Sequence, residues 1–153
     1  MEIETSELRI SKLRNYLINI IDTLKNNSNS KINVNMLSNN IDNYSLDKIP
    51  VVTEITRWIT GEEIHRDLYS FRSRMSYSQD TINNLQNIGF FEQFENMIRT
   101  NNRKGIMPDI KNIQSIECLN CGTMNSDDGS TAEFDIQIQI TYIIKDEENE
   151  ISL

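Results

Sequence analysis

The chain has 153 residues, the size of one ordinary domain, and a formal net charge of -8. Nucleic-acid-binding proteins usually carry a basic excess and a positive patch, so this acidic balance indicates no specific nucleic-acid binding. The N-terminus is acidic and no run approaches the roughly 18 apolar residues of a membrane span, so we expect a soluble, unexported, single-domain protein without membrane contact.

The first predicted element is an amphipathic helix over residues 6–26. Leucines and isoleucines recur there at three- and four-residue steps, which is the spacing of one helical face. Thr5 or Ser6 can cap the first turn, and the asparagine- and serine-rich cluster after residue 26 favours a loop. The apolar stripe is broad enough to pack on a sheet.

Short extended segments follow this helix. The alternation of Ile32, Val34 and Met36 with asparagines predicts a short strand. Residues 44–50 are expected to be extended, and Pro50 either ends hydrogen-bond pairing or places the segment at a sheet edge.

A hairpin is predicted from two segments rich in β-branched and aromatic residues, 51–60 and 63–77, joined by a turn at Gly61 and Glu62. Successive side chains of a strand point to opposite faces, so the second strand has one aromatic face, which we assign to the core. That face carries Tyr69, Phe71, Ser73, Met75 and Tyr77.

A central helix is predicted from residue 79, with Ser78 as its cap. Its buried side is predicted to carry Ile82, Leu85 and Ile88. Gly89 interrupts the pattern before a second helical run rich in phenylalanine. The segment is therefore either one kinked helix or two short helices that meet at the glycine.

Two strands are predicted near the C-terminal end, over residues 113–122 and 134–144, and residues 146–153 are expected to fray. The second strand alternates strictly between apolar and polar side chains, so it has one face for a core and one polar face. The apolar face carries Phe134, Ile136, Ile138, Ile140, Tyr142 and Ile144. The polar face, left for water, a lumen or a neighbouring subunit, carries Asp135, Gln137, Gln139 and Thr141.

These elements together predict an α+β fold. We expect an antiparallel sheet of about four to five strands, with the N-terminal helix and the central kinked helix packed on one face.

The sequence lacks the strong enzyme motifs: it has no P-loop, GxGxxG turn, HExxH helix or nucleophile elbow. Cys118 and Cys121 are spaced as CxxC, but a zinc site needs two further ligands and His65 is the only histidine. We interpret the cysteines as reduced residues in or beside a strand, in preference to a redox pair. His65 is an acid–base or metal-ligand candidate, but it lies beside the predicted turn without a matched partner, which favours a solvated turn residue. We therefore expect a non-enzymatic protein without a cofactor or metal.

Basic side chains concentrate on the predicted central hairpin of this acidic chain. These arginines lie either on solvated strand faces, which is the favoured interpretation, or against an acidic neighbouring subunit. Trp58 is either a core residue or an interface anchor, and an exposed position would favour the second. The candidate subunit or tail contacts are Arg57, Trp58, Glu62, Glu63, Arg66, Arg72 and Arg74.

In the order of its segments, the part of the chain from residue 43 to 143 resembles a family of small phage proteins from Gram-positive bacteria, which are labelled minor capsid proteins and are similar to tail terminators. The resemblance rests on the segments NYSLDKIP and YSFRSRMSYS, on NIGFFEQF inside the central helix, and on the closing strand FDIQIQITYI. It covers about two thirds of the chain, and order and spacing carry it more than any single motif.

The resemblance implies a structural virion protein with a single tail-terminator-like domain over residues 1–153. Such a protein forms a ring, expected to be hexameric, at the head-proximal end of a phage tail and stops polymerisation of the tail tube. The implied partners are further copies of the chain, the tail tube protein, and the sheath and head-completion proteins. The protein would be made in the bacterial cytoplasm and assembled into a virion or a phage-tail-like bacteriocin. The family offers no catalytic residues.

Two other interpretations stay open. The chain is either an intracellular α+β adaptor that presents the aromatic hairpin to a protein partner, or, in the least favoured interpretation, a small enzyme that uses His65 and nearby carboxylates.

Overall fold

The computed structural model describes residues 4–26, 30–35, 37, 43–76, 81–120, 122–127 and 131–145. The predictions for Met36, Tyr77, Ser78, Cys121, the side chains of Ile82 and Leu85, and residues 146–153 lie outside this part of the chain. The described elements, in chain order, are α1 (Ser6–Lys25), β1 (Ile32–Val34), β2 (Asn43–Ile49), β3 (Glu54–Arg57), β4 (Glu63–Ser76), α2 (Thr81–Lys104), β5 (Ile113–Cys118), β6 (Thr123–Asp127) and β7 (Thr131–Ile144).

The strands form one mostly antiparallel sheet built around its two longest members. β4 and β7 pair along their whole lengths, from Glu63 opposite Ile144 to Ser76 opposite Thr131. The outer edge of β4 pairs with β2 and β3 at different levels, and that of β7 pairs with β5 and β6. β1 extends the sheet beyond β2 as a parallel neighbour.

The predicted α+β class, with an N-terminal and a central helix, is confirmed. The expected number of four to five strands is wrong, because the described sheet has seven. The difference arises at the edges, where each long central strand is flanked by two short strands placed one after the other. Beside β4 both short strands were predicted as extended segments, whereas beside β7 one strand was predicted over residues 113–122 where the structure has β5 and β6.

The core lies on one face of the sheet, which we call the core face. Tyr69 and Phe71 of β4 lie opposite Ile138 and Ile136 of β7, and all four side chains are buried. The assignment of the aromatic face of β4 to the core is therefore confirmed for the residues described.

Both helices pack on this core face. In α1, buried Leu13, Leu17 and Ile21 recur at four-residue steps, and the Thr5 hydroxyl accepts a hydrogen bond from the backbone N–H of Leu8, as expected for a cap. Asn26 ends the helix in the left-handed conformation, with φ 54°.

Helix α2 runs without a break through Gly89, so the alternative of two short helices is wrong. Its buried stripe contains Phe90, Phe94 and Ile98, and the Phe94 ring stacks on Phe71 with centroids 5.0 Å apart. Ile88 is 55% exposed, which contradicts its predicted burial. Two residues in a helix are about 200° apart, so turning Phe90 toward the sheet turns Ile88 away.

The prediction of one strand over residues 113–122 is also wrong. β5 ends at Cys118, a bend follows at residues 119–120, and β6 begins at Thr123. Within the described residues, no helix is both long and apolar enough to cross a membrane.

Candidate functional site

The hairpin formed by β3 and the start of β4 projects beyond the end of β2. We call residues 52–62 the hairpin tip. Two backbone hydrogen bonds close its turn. The Trp58 N–H donates to the Glu62 carbonyl at 2.8 Å, and the Gly61 N–H donates to the Trp58 carbonyl at 2.9 Å. Gly61 has φ 91°, a conformation that side-chain-bearing residues rarely adopt, so the predicted turn at Gly61 and Glu62 is confirmed.

The hairpin tip exposes large apolar side chains to solvent. Every residue of β3 is exposed. The exposed apolar side chains are Val52 (78%), Ile55 (50%), Trp58 (42%) and Ile59 (108%). Single exposed apolar residues are ordinary on protein surfaces, whereas a contiguous group on one projecting element marks an interaction site. Trp58 therefore has the exposed position that favours an interface anchor.

Charged side chains flank this apolar group. Arg57 forms ion pairs with Glu54 at 3.2 Å and with Glu63 at 3.1 Å. Arg57 is largely exposed, so each pair contributes little to stability. Arg66, at the base of the hairpin, points its Nε at the Val52 carbonyl at 3.4 Å.

His65 is held within the same hairpin. Its Nε2 lies 2.8 Å from a carboxylate oxygen of Glu63, and its Nδ1 lies 3.1 Å from the Thr53 hydroxyl. Both ring nitrogens are therefore engaged by neighbouring residues, and the His65 side chain is 13% exposed, not solvated as expected. Within the described residues, no group of three or more His, Cys, Asp or Glu side chains is arranged to hold a metal ion.

The sequence-predicted contact residues divide between two places. The hairpin contains Arg57, Trp58, Glu62, Glu63 and Arg66, whereas Arg72 and Arg74 lie farther along β4 on the opposite face of the sheet from the helices.

This opposite face, which we call the polar face, is a network of compensated charges. Arg72 pairs with Asp47 of β2 at 2.5 Å and with Glu133 of β7 at 3.0 Å. Burial alone lowers the pKa of Arg72, but these two carboxylates outweigh it and raise the pKa. Ser70 donates a hydrogen bond to Asp135. The charges are therefore neutralised locally, without a field of one sign.

The predicted polar stripe of β7 belongs to this face. Asp135, Gln137, Gln139 and Thr141 are all partly exposed and lie opposite polar or charged residues of β4, apart from Gln139, which lies opposite Leu68.

A buried polar cluster on the core face was not predicted from the sequence. Asp67 is fully buried, and it accepts hydrogen bonds from Arg9 Nε at 2.6 Å, from the Tyr69 hydroxyl at 3.1 Å and from the Tyr142 hydroxyl at 3.3 Å. The Arg9 guanidinium lies 4.6 Å from the centre of the Tyr142 ring. Burial lowers the pKa of Arg9, but Asp67 more than compensates, so the pKa is raised.

No family model matches the chain, and no curated protein matches it.

The exposed isoleucines of the hairpin tip are the functional candidates that the sequence reading missed. The prediction of a strand over residues 51–60 is wrong at both ends, because β3 covers only Glu54–Arg57; Val52, Trp58 and Ile59 lie outside it, and Ile59 is in the turn.

Proposed function

We propose that this chain is a non-enzymatic structural subunit of a phage tail or a phage-tail-like particle. It forms a ring, expected to be hexameric, at the head-proximal end of the tail and stops polymerisation of the tail tube. The observation that carries the proposal is the exposed hairpin tip with Trp58 and Ile59, a surface suited to contact with another protein.

A ring subunit needs lateral contacts that repeat around an axis, and a projecting apolar hairpin supplies one. A subunit around a DNA channel also needs a surface to which DNA does not adhere. The polar face supports this part of the proposal, because its arginines, Arg66, Arg72 and Arg74, are matched by as many carboxylates, Asp47, Glu133 and Asp135, and Gln137 and Gln139 are uncharged. We assign Asp135, Gln137, Gln139 and Thr141 to the lumen or to a subunit contact.

The partners in this proposal are further copies of the chain, the tail tube protein at the end of the tube, and sheath and head-completion proteins where the particle has them. The protein is made in the bacterial cytoplasm and resides at the upper end of the tail. Base-specific recognition of DNA has no part in the role.

A second candidate is an adaptor that binds one protein partner through the same hairpin tip. The exposed Trp58 favours it equally, because a single anchor residue can serve a one-to-one complex as well as a ring.

Localisation within particles separates the two candidates. An epitope tag at the N-terminus, detected with gold-labelled antibody on purified particles, should place the label at one end of each tail, at the end distal to the baseplate. Label that is absent from purified particles, while the tagged protein is present in the cell lysate, would overturn the structural role and favour the adaptor.

A further inference from the structure

Besides the exposed apolar hairpin tip, the same chain carries a partly apolar groove. The groove lies between α1 and the edge strand β1 and has a volume of about 460 Å³. We call it the α1–β1 groove. It is lined by Glu7, Ile10, Ser11, Arg14, Lys31, Ile32, Asn33 and Val34.

We infer that the hairpin tip of one copy docks into the α1–β1 groove of the next copy. This inference rests on the proposed function, since it names the lateral contact of the proposed ring. The occupant is a second copy of this chain, seated through Trp58 and Ile59 against the aliphatic wall formed by Ile10 and Val34.

The chemistry of the two surfaces is complementary. The groove offers exposed aliphatic surface, including Val34 at 45% exposure, beside two basic side chains, Lys31 and Arg14, and one carboxylate, Glu7, so its net charge is positive. The hairpin tip offers apolar side chains beside two carboxylates, Glu54 and Glu62, and one guanidinium, Arg57, which pairs with Glu54, so its net charge is negative. Apolar contact supplies most of the free energy of such an interface, and opposite charges at its rim fix the orientation.

A second groove, between α2 and β5, fits the hairpin tip less well. It has a volume of about 260 Å³ and carries Glu95 and Glu117 beside Arg99. Two carboxylates there would face the acidic residues of the tip, and like charges brought together across an interface oppose association.

The sheet edges beside the two grooves are alike. At the β5 edge, the Asn102 side chain accepts a hydrogen bond from the Ile116 backbone N–H at 3.0 Å, which occupies a group that a further strand would need. Among the described residues, β1 and β3 each pair with a strand on one side only. At β1 the Ile32 carbonyl likewise accepts a hydrogen bond from Arg14 Nε at 2.5 Å, so a side chain occupies one backbone group at each of the β1 and β5 edges.

The positions of the two surfaces allow every copy to use both at once. β1 pairs with β2, and the same residues of β2 pair with Phe71 and Ser73 of β4, so β1 lies at the height of these two residues along the sheet. The hairpin tip lies beyond Glu63, at the start of β4. Eight or more strand residues separate these levels, or about 25 Å at 3.3 Å per residue. Contact between two different surfaces of identical chains is head-to-tail, and it closes into a ring when the rotation permits.

Two variants isolate the two halves of the contact. The tip variant Trp58→Ala with Ile59→Ser and the groove variant Val34→Glu alter exposed side chains, so both should fold like the wild type. Ile88→Glu is the matched control, since Ile88 is an exposed apolar residue on α2 that belongs neither to the hairpin tip nor to the lining of the α1–β1 groove.

Sedimentation velocity of the purified full-length chains, over the attainable concentration range, is the measurement. Wild type and Ile88→Glu should self-associate, and each of the other variants alone should be monomeric. An equimolar mixture of the two variants should form a one-to-one dimer and nothing larger, because one intact tip meets one intact groove.

A monomeric wild type, undiminished association of either variant, or a mixture that stays monomeric would overturn the inference. The contact and the tail role can fail separately. If the mixture dimerises but tails that lack the protein have normal length, the contact is supported and the proposed tail role is contradicted.

Discussion

The Nε of Arg9 donates to the carboxylate of Asp67 at 2.6 Å, and this bond joins the first helix to the middle of the longest strand pair. A second Arg9 nitrogen, Nη1, donates to the Glu4 backbone carbonyl at 2.6 Å, so the same guanidinium also fixes the residues that precede the helix. The side chains of Arg9 and Asp67 are 10% and 0% exposed. The pair therefore sets the position of α1 on the sheet, and with it one wall of the α1–β1 groove.

Removal of the buried carboxylate should strongly destabilise the fold. Asp67→Ala leaves Arg9 buried beside two hydroxyls with no counter-charge, and we expect a loss of about 3 to 5 kcal/mol in the free energy of unfolding, measured in urea. The double variant Arg9→Met with Asp67→Leu removes both charges and should lose less than the single variant. Glu54→Ala, which breaks the exposed pair with Arg57, is the control and should lose less than about 1 kcal/mol. Equal losses of unfolding free energy in Asp67→Ala and Glu54→Ala would contradict the conclusion that Arg9 and Asp67 form a buried ion pair.

Stability should fall at alkaline pH because of the same cluster. Burial, followed by the charge of Asp67, raises the pKa of Tyr142 from 10.0 to about 12. The pKa of Tyr69 shifts in the same direction. A group whose pKa is raised by folding contributes stability that is complete below its unfolded pKa and is lost as the pH rises through the folded one.

Between about pH 9 and about pH 12 the wild type should therefore lose about 1 to 3 kcal/mol from Tyr142, on top of losses from other groups. Tyr142→Phe lacks this titration, so its urea midpoint should depend less steeply on pH across that window. Identical pH profiles for the two proteins would show that the hydroxyl is not held as described.

Replacement of each of two glycines by alanine should change the stability of the fold in opposite directions. A Cβ at Gly122 would meet the Phe91 ring at 2.5 Å, so Gly122→Ala should destabilise the fold by about 1 to 3 kcal/mol through overpacking. A Cβ at Gly89 would meet nothing within 4 Å. Because Gly89 lies inside α2, Gly89→Ala should stabilise the fold by about 0.5 to 1 kcal/mol through helix propensity. Thermal unfolding of both variants checks this, and a destabilised Gly89→Ala would argue against the continuous helix.

The buried stripe of α2 can be tested directly. Phe94 is fully buried and stacks on Phe71, so Phe94→Ala should cost about 3 to 5 kcal/mol. Ile88→Ala, on the exposed side of the same helix, should change stability by less than about 0.5 kcal/mol. Comparable losses at the two positions would mean that the helix is rotated relative to the sheet.

The elements with strong local periodicity were predictable from the sequence. The alternation over residues 134–144 and the four-residue steps of α1 determine which side chains are buried, and both patterns agree with the structure. The position of Ile88 was not predictable, because the helical period around Gly89 admits two apolar stripes and only docking against Phe71 selects one.

Contacts between residues far apart in the sequence also could not be predicted from local patterns. Arg9 and Asp67 are 58 positions apart, and each alone reads as an ordinary surface charge. At the hairpin tip, Trp58 was a candidate anchor in the sequence, whereas the exposure of Ile55 and Ile59 was not predicted, because local alternation indicates a strand without showing whether another element covers its faces.

The central claim is that this protein ends the growth of a tail tube, and the distribution of tail lengths tests it most directly. Tails from a strain that lacks the gene, imaged by electron microscopy, should be longer and variable, with irregular upper ends. Expression of the wild-type chain or of Ile88→Glu should restore one length, whereas the Trp58→Ala, Ile59→Ser variant should not. Tails of normal length and normal upper ends without the protein would contradict the account.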